Sequence, residues 1–167
     1  KVRFEDIQSV YLSGEKRQPF RIVKKENDWN IEADIWSVTS YSELHREAED
    51  KNRWNILHPE VEKKKSHVES CLTSKNGPII AVSDYVKLVA EQIAPYINCP
   101  FTALGTDGFG RSETREKLRK FFEIDRYYIT MTALESLSNE NLIEKHMVKK
   151  CLTKYELDPE KPNPIQV

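Results

Sequence analysis

Ile79-Ile80-Ala81-Val82, then Ser83-Asp84 and an amphipathic run to Ile97, then Phe101-Thr102-Ala103-Leu104-Gly105, form the stretch that decides the fold class. Four apolar residues without alternation read as a strand buried on both faces. Ser83 or Asp84 is placed to cap a helix in which Tyr85, Val86, Val89, Ala90, Ile93 and Ile97 recur at three- and four-residue spacing. Pro95 ends or kinks the regular part of that helix. Residues 101–104 form a second strand, stopped by Gly105. A strand, a crossover helix and a strand predict parallel neighbours in an α/β fold.

The same alternation extends to both sides. Ser9-Val10-Tyr11-Leu12-Ser13 reads as a strand closed by Gly14, and 20–29 as a short polar helix. Ala33-Asp34-Ile35-Trp36-Ser37-Val38 has β-branched and aromatic character and reads as another strand. Ser40 and Glu43 have capping-box spacing and open a helix with Leu44 and Ala48 on one face, while 50–59 reads as irregular or broken helix. Charged residues around Lys63-Lys64-Lys65 read as a solvated segment. A short helical piece at 68–72 then leads to the turn Asn76-Gly77-Pro78. Further on, a helix is expected from about Ser112, with Glu113 and Glu116 in its first turn and Leu118, Phe121 and Phe122 on its buried side. Asp125 caps a helix that breaks at Ser138-Asn139. Met147, Val148, Cys151 and Leu152 mark one more. Prolines 159, 162 and 164 predict an extended tail over 156–167. The expected architecture is one three-layer α/β sandwich over 1–167, with no internal repeat.

Composition excludes several classes. The 26 basic and 27 acidic residues nearly cancel, so a generic polyanion binder is disfavoured and no nucleic-acid partner is expected. No run of 18 apolar residues is present for a membrane span, and residues 1–6 lack the apolar core of a signal peptide. Cysteines 71, 99 and 151 are odd in number and widely spaced, which suits a reducing cytoplasm. His67 and Cys71 could share a helical face, but two ligands do not make a metal site.

One segment has functional geometry: Gly105-Thr106-Asp107-Gly108-Phe109-Gly110-Arg111-Ser112, at the carboxyl end of a strand, where sites gather in α/β sheets. Its three glycines permit unusual backbone angles, and amides at the following helix start could receive an anion. Arg111 and Arg115 lie four apart if that helix begins early, and could add donors or pair with Asp107. The glycine spacing is neither GxGxxG nor a P-loop. A structural turn in which Asp107 bonds local amides, or a packing surface, is the ordinary alternative. A third reading is a small enzyme using Asp107 with His45, His58 or His67, which requires a base within hydrogen-bond reach of the carboxylate.

The residues at 33–40, Arg53-Trp54-Asn55-Ile56-Leu57-His58-Pro59, the run from Thr106 to Arg115, Asp125-Arg126-Tyr127-Tyr128 and the closing 154–164 together resemble the C-terminal region of the homodimeric pyruvate dehydrogenase E1 family, within the transketolase-like superfamily. The resemblance covers roughly 31–167. Residues 1–30 diverge, with 12–19 standing where that family has a Gly-Ser-Gly turn. It implies a mainly parallel, roughly five-stranded sheet between helices. It also implies a parent enzyme that decarboxylates pyruvate on thiamine diphosphate with Mg2+ and passes the acetyl group to the lipoyl group of the acetyltransferase E2. The cofactors would be held by preceding domains across a homodimer, because this chain has no Gly-Asp-Gly with a distant Asn-Asn. The expected role is therefore structural: no catalytic, cofactor or metal residue in this chain, little activity by the chain alone, and partners in its own preceding domains, a second E1 subunit and E2. The candidate interface or anion-facing residues are Thr106, Asp107, Gly108, Phe109, Gly110, Arg111, Ser112 and Arg115. A small-anion-binding accessory domain is the alternative.

Overall fold

A computed structural model describes residues 29, 31, 33–34, 36–72 and 77–167. The chain divides into two compact units, 1–40 and 41–167. In the first, Trp29 is buried, Trp36 is half-buried, and the described residues include neither helix nor strand. The strand expected at 9–13 and most of the helix expected at 20–29 lie outside the described residues.

The second unit runs α1 (Tyr41–Leu57), α2 (His67–Leu72), β1 (Ile79–Val82), α3 (Lys87–Glu91), a 3-10 turn (Ala94–Tyr96), β2 (Phe101–Leu104), α4 (Arg115–Phe121), α5 (Arg126–Asn139), α6 (Lys145–Lys154) and a closing 3-10 turn (Pro164–Gln166). β1 and β2 pair in parallel, Ile79 opposite Phe101 and Val82 opposite Leu104. The ladder is prolonged at both ends, where Ile79 N donates to Pro100 O and Ser83 N to Leu104 O. Ala90 of α3 packs on Ala81 and Ala103, three small side chains that let helix and sheet approach closely. Ala48, Val68 and Ile93 join α1, α2 and the chain after α3 in a second cluster, flanked by Leu44, Leu72 and Phe101. α5 packs against β1 and α6 against α5.

The α/β class and the parallel pair stand, but the five-stranded, three-layer sandwich does not. Among the described residues the sheet has two strands. Of the 33–38 segment, Ala33, Asp34, Trp36, Ser37 and Val38 are described and pair with no strand; all but Trp36 are exposed. Strand propensity measures fit to a half-buried pleated surface, and without a neighbouring ladder such residues have nothing to fit. β1 also differs from the doubly buried strand expected: Ala81 alone is buried, while Ile79, Ile80 and Val82 are half-buried beside a single partner strand.

Helix boundaries moved for legible reasons. α1 continues unbroken through 50–57, although Ile56 and Leu57 are exposed. Trp54 stacks on His58 one turn later, with ring centroids 4.2 Å apart, and Lys64 lies 3.7 Å over its ring. At α2, Ser66 and Glu69 exchange bonds, Ser66 N to Glu69 Oε2 at 2.7 Å and Glu69 N to Ser66 Oγ at 3.2 Å, a reciprocal capping box. Asp125 caps α5 as expected, accepting from Tyr127 N and Tyr128 N. α4, α5 and α6 each close with a residue at positive φ, Glu123, Asn141 and Glu156, followed by a backbone bond back to Arg119, Leu137 or Leu152. These are Schellman-type ends built without glycine.

Candidate functional site

The loop leaving β2 is shaped by what its backbone must pass. Gly105 runs against the 85–87 turn so closely that a Cβ would lie 2.5 Å from both Tyr85 O and Lys87 N. Thr106 then makes two bonds to the same turn, its N donating to Tyr85 O at 2.9 Å and its Oγ1 to Asp84 O at 3.0 Å. Asp107 Oδ2 accepts from Lys87 N at 3.1 Å. α3 has no cap of its own, since Val86 stands at the N-cap position, and Asp107 supplies that cap from twenty residues away. This corrects the expected helix start at Ser83 or Asp84. The Tyr85 carbonyl, which a longer helix would use internally, is taken by Thr106, so α3 begins only at Lys87, and Ser83 Oγ accepts from Tyr85 N instead.

Beyond Asp107 the chain turns outward. Gly108 has φ +115°, and a Cβ there would lie 2.5 Å from the Pro164 carbonyl, so glycine admits both the angle and the neighbouring C-terminal segment. Phe109 is 78% exposed. Gly110 and Ser112 are exposed, and a Cβ on Gly110 would touch nothing within 4 Å. Arg111 lies 4.1 Å over the Phe121 ring. α4 starts at Arg115 behind Thr114, whose side chain accepts from Lys117 N at 3.5 Å; Ser112, near which the helix was expected to begin, and Arg111, which an early start would have included, both lie outside it.

The pair that Asp107 could make with Arg111 or Arg115 is not formed among the described residues. Arg115 and Arg119, one turn apart, both reach Asp84, at 3.7 and 3.4 Å. Asp84 is well exposed, so each contact contributes at most about 1 kcal/mol. From the other end of the chain, Lys161 Nζ donates to Phe121 O at 2.7 Å, to Lys120 O at 3.2 Å and to Glu123 Oε1 at 3.0 Å. A cation there meets both the free carbonyls and the negative pole of α4.

Chemically, the polar groups of Thr106 and Asp107 are consumed inside the fold. Thr106 N is bonded, Asp107 places a carboxylate where an anion would sit at α3, and Glu113 accepts from Thr114 N at the start of α4. No histidine reaches Asp107: His45 Nδ1 meets Gln92 O, His58 Nδ1 meets Trp54 O, and His67 Nε2 lies 3.5 Å from Cys71 Sγ. Both bonded imidazoles face carbonyls, so Nδ1 donates in each. Burial raises the Cys71 and Cys99 thiols and pushes Cys151 up to about 11, away from nucleophilic use near neutrality. Among the described residues no group of three His, Cys, Asp or Glu is placed to hold a metal ion, and none here is assigned to Mg2+ or a diphosphate.

Sequence reading missed Asp84 as the meeting point of two guanidiniums, Lys161 as the clamp on α4, and Ser66-Glu69 as a cap. Only the last had a local signal, the Ser-x-x-Glu spacing.

The family described as Transketolase-like TK C-terminal domain matches residues 20–125. The chain is 50% identical over 142 residues to the pyruvate dehydrogenase E1 component of Cupriavidus necator, covering 85% of this chain and 16% of that protein. It is 49% identical over 140 residues to the E1 component of Pseudomonas aeruginosa, covering 83% and 16%, and 39% identical over 138 residues to that of Escherichia coli K12, covering 82% and 15%. The chain therefore spans about one sixth of the length of these relatives.

Proposed function

This chain belongs to the transketolase-like C-terminal domain family and corresponds to the C-terminal domain of pyruvate dehydrogenase E1; from that premise we propose that it serves the enzyme as an assembly domain and carries none of the reacting groups. The domain is read as extending over 1–167, with 1–30 divergent and 156–167 as its tail. The whole enzyme decarboxylates pyruvate with thiamine diphosphate and Mg2+ bound by its other domains, works as a cytoplasmic homodimer, and delivers the acetyl group to the lipoyl arm of E2. The contribution of this domain is to complete the subunit and support the contacts around the site. Thr106–Ser112 and Arg115 form the contact loop, with Phe109 as its apolar tip.

The observation that carries this reading is the division of labour within the loop. Thr106 and Asp107 are spent on holding the loop to the 84–87 turn, and Phe109 is left 78% exposed at its tip. A ligand cradle would keep its apolar groups covered. The test is complementation: E1 lacking this region is mixed with the purified chain, and pyruvate-dependent acetyl transfer is measured. Restored transfer supports the assembly role, and full activity of the truncated enzyme by itself overturns it.

A further inference from the structure

We propose that residues 157–167 are a strap holding the outer arm of the loop, 108–112, and that the arm takes a second position when the strap is released, while Thr106 and Asp107 stay fastened to the 84–87 turn. This goes beyond the assembly reading and does not depend on it. It makes the placement of Phe109 conditional on a segment distant in sequence.

The two halves of the loop are held differently. Thr106 and Asp107 are hydrogen-bonded to the 84–87 turn. Residues 108–112 make no hydrogen bond with another described residue. What holds them comes from the far end of the chain. Gly108 packs on the Pro164 carbonyl and on Ile165. The Phe121 ring that carries Arg111 at 4.1 Å also has Lys161 Nζ at 5.6 Å, so one aromatic face system serves a cation from the arm and a cation from the strap.

The strap is itself fastened at several points. Leu157 and Pro164 are buried, and Glu160 N donates to Asp158 Oδ1 at 2.9 Å. Lys161 reaches the last carbonyls of α4 and Glu123, and also lies 5.2 Å over the Tyr128 ring. Asn163 Oδ1 accepts from Ile165 N at 3.0 Å. The strap is therefore the fixed body and the arm the moving one, because local opening begins where hydrogen bonds and buried contacts are fewest. Gly110 points to the second position. It has no positive φ, and a Cβ on it would meet nothing within 4 Å. The strapped arm thus gives no steric reason for glycine at 110, whereas an arm that swings about 108–110 uses the wider backbone freedom there.

The arm contains its own reporter, since trypsin cuts after Arg111, and Lys87 before the exposed Leu88 reports on the inner half. Cleavage at both sites is followed by mass spectrometry in the 167-residue chain, in Lys161→Met, and in a chain ending at Asn163. The last keeps the Lys161 anchor and lacks the neighbour of Gly108. Each variant is expected to quicken cleavage after Arg111 at least about fivefold, with cleavage after Lys87 changed less than about twofold. An unchanged rate after Arg111 in the shortened chain, or equal acceleration at both sites, overturns the strap. Acceleration in the shortened chain alone overturns the part given to Lys161. In the shortened chain, Gly110→Ala is expected to slow cleavage after Arg111 at least about threefold, once divided by the rates of matching short peptides. Equal normalised rates overturn the second position.

Discussion

Removing the Asp107 carboxylate separates a structural loop from a chemical one. Its Oδ2 accepts a single bond, from Lys87 N at 3.1 Å, and so caps a five-residue helix that has no cap of its own. Losing an N-cap of this kind costs about 1–2 kcal/mol, toward the upper end because the acceptor is charged and half-buried. For a chain of this size each kcal/mol lowers the melting temperature by about 2–4 °C, so Asp107→Ala is expected to melt about 3–6 °C below the parent. Asp107→Asn keeps an oxygen at the same place and should lose less than half as much. The assay is thermal unfolding followed by circular dichroism at pH 7, together with amide exchange at Lys87, which should quicken in the Ala variant. An Ala variant melting within about 1 °C of the parent would refute the cap. Asn being as damaging as Ala would show that charge, not the acceptor, is what Asp107 contributes.

Gly105→Ala should be far worse, costing more than about 3 kcal/mol, because the new Cβ meets two backbone atoms at 2.5 Å that cannot rotate away; soluble yield and urea midpoint check it. Ser138→Ala should stabilise the chain by about 1 kcal/mol, since the Ser138 hydroxyl is buried on α5 without a hydrogen-bond partner among the described residues; a lowered urea midpoint would count against this. Cys151 is fully buried and held at about 11, so a thiol reagent at pH 7.5 should label Cys71 and Cys99 first and Cys151 only on unfolding, as read by peptide mass mapping. Burial, then Glu123, Asp125 and Asp158, push the Tyr128 phenol up to about 12. The folded state thus favours the neutral phenol, and this stability is complete below pH 10 and is lost as pH rises through 12. The loss amounts to no more than about 2 kcal/mol, and Tyr128→Phe should flatten the decline in urea midpoint over that window.

Local chemistry was readable where one residue acts on its near neighbours. Asp125 caps amides two and three positions on, the helix break at Ser138-Asn139 falls where the spacing placed it, and the strands at 79–82 and 101–104 bracket their crossover. The sheet was overcounted because the same side chains suit a strand or an exposed segment until a partner edge is present, as 33–38 demonstrates. The loop's place between β2 and the next helix was readable, and its inner wiring was not. Arg111 and Arg115 were the candidates near in sequence to pair with Asp107, whereas Asp107 caps α3 and Arg115 and Arg119 turn to Asp84.

Residue order by itself determined the α/β class, the parallel pair, the caps that act within a turn of helix, and the family, because each depends on periodicity or on contiguous residues. Only the tertiary structure decided that α3 starts at Lys87, that Gly105 and Gly108 admit nothing larger, and that Lys161 closes α4 from forty residues away. The physical reason is that backbone amides and carbonyls left over at element ends bind whichever group the packed chain delivers to them, and that delivery depends on how distant segments fold together, which no local spacing records.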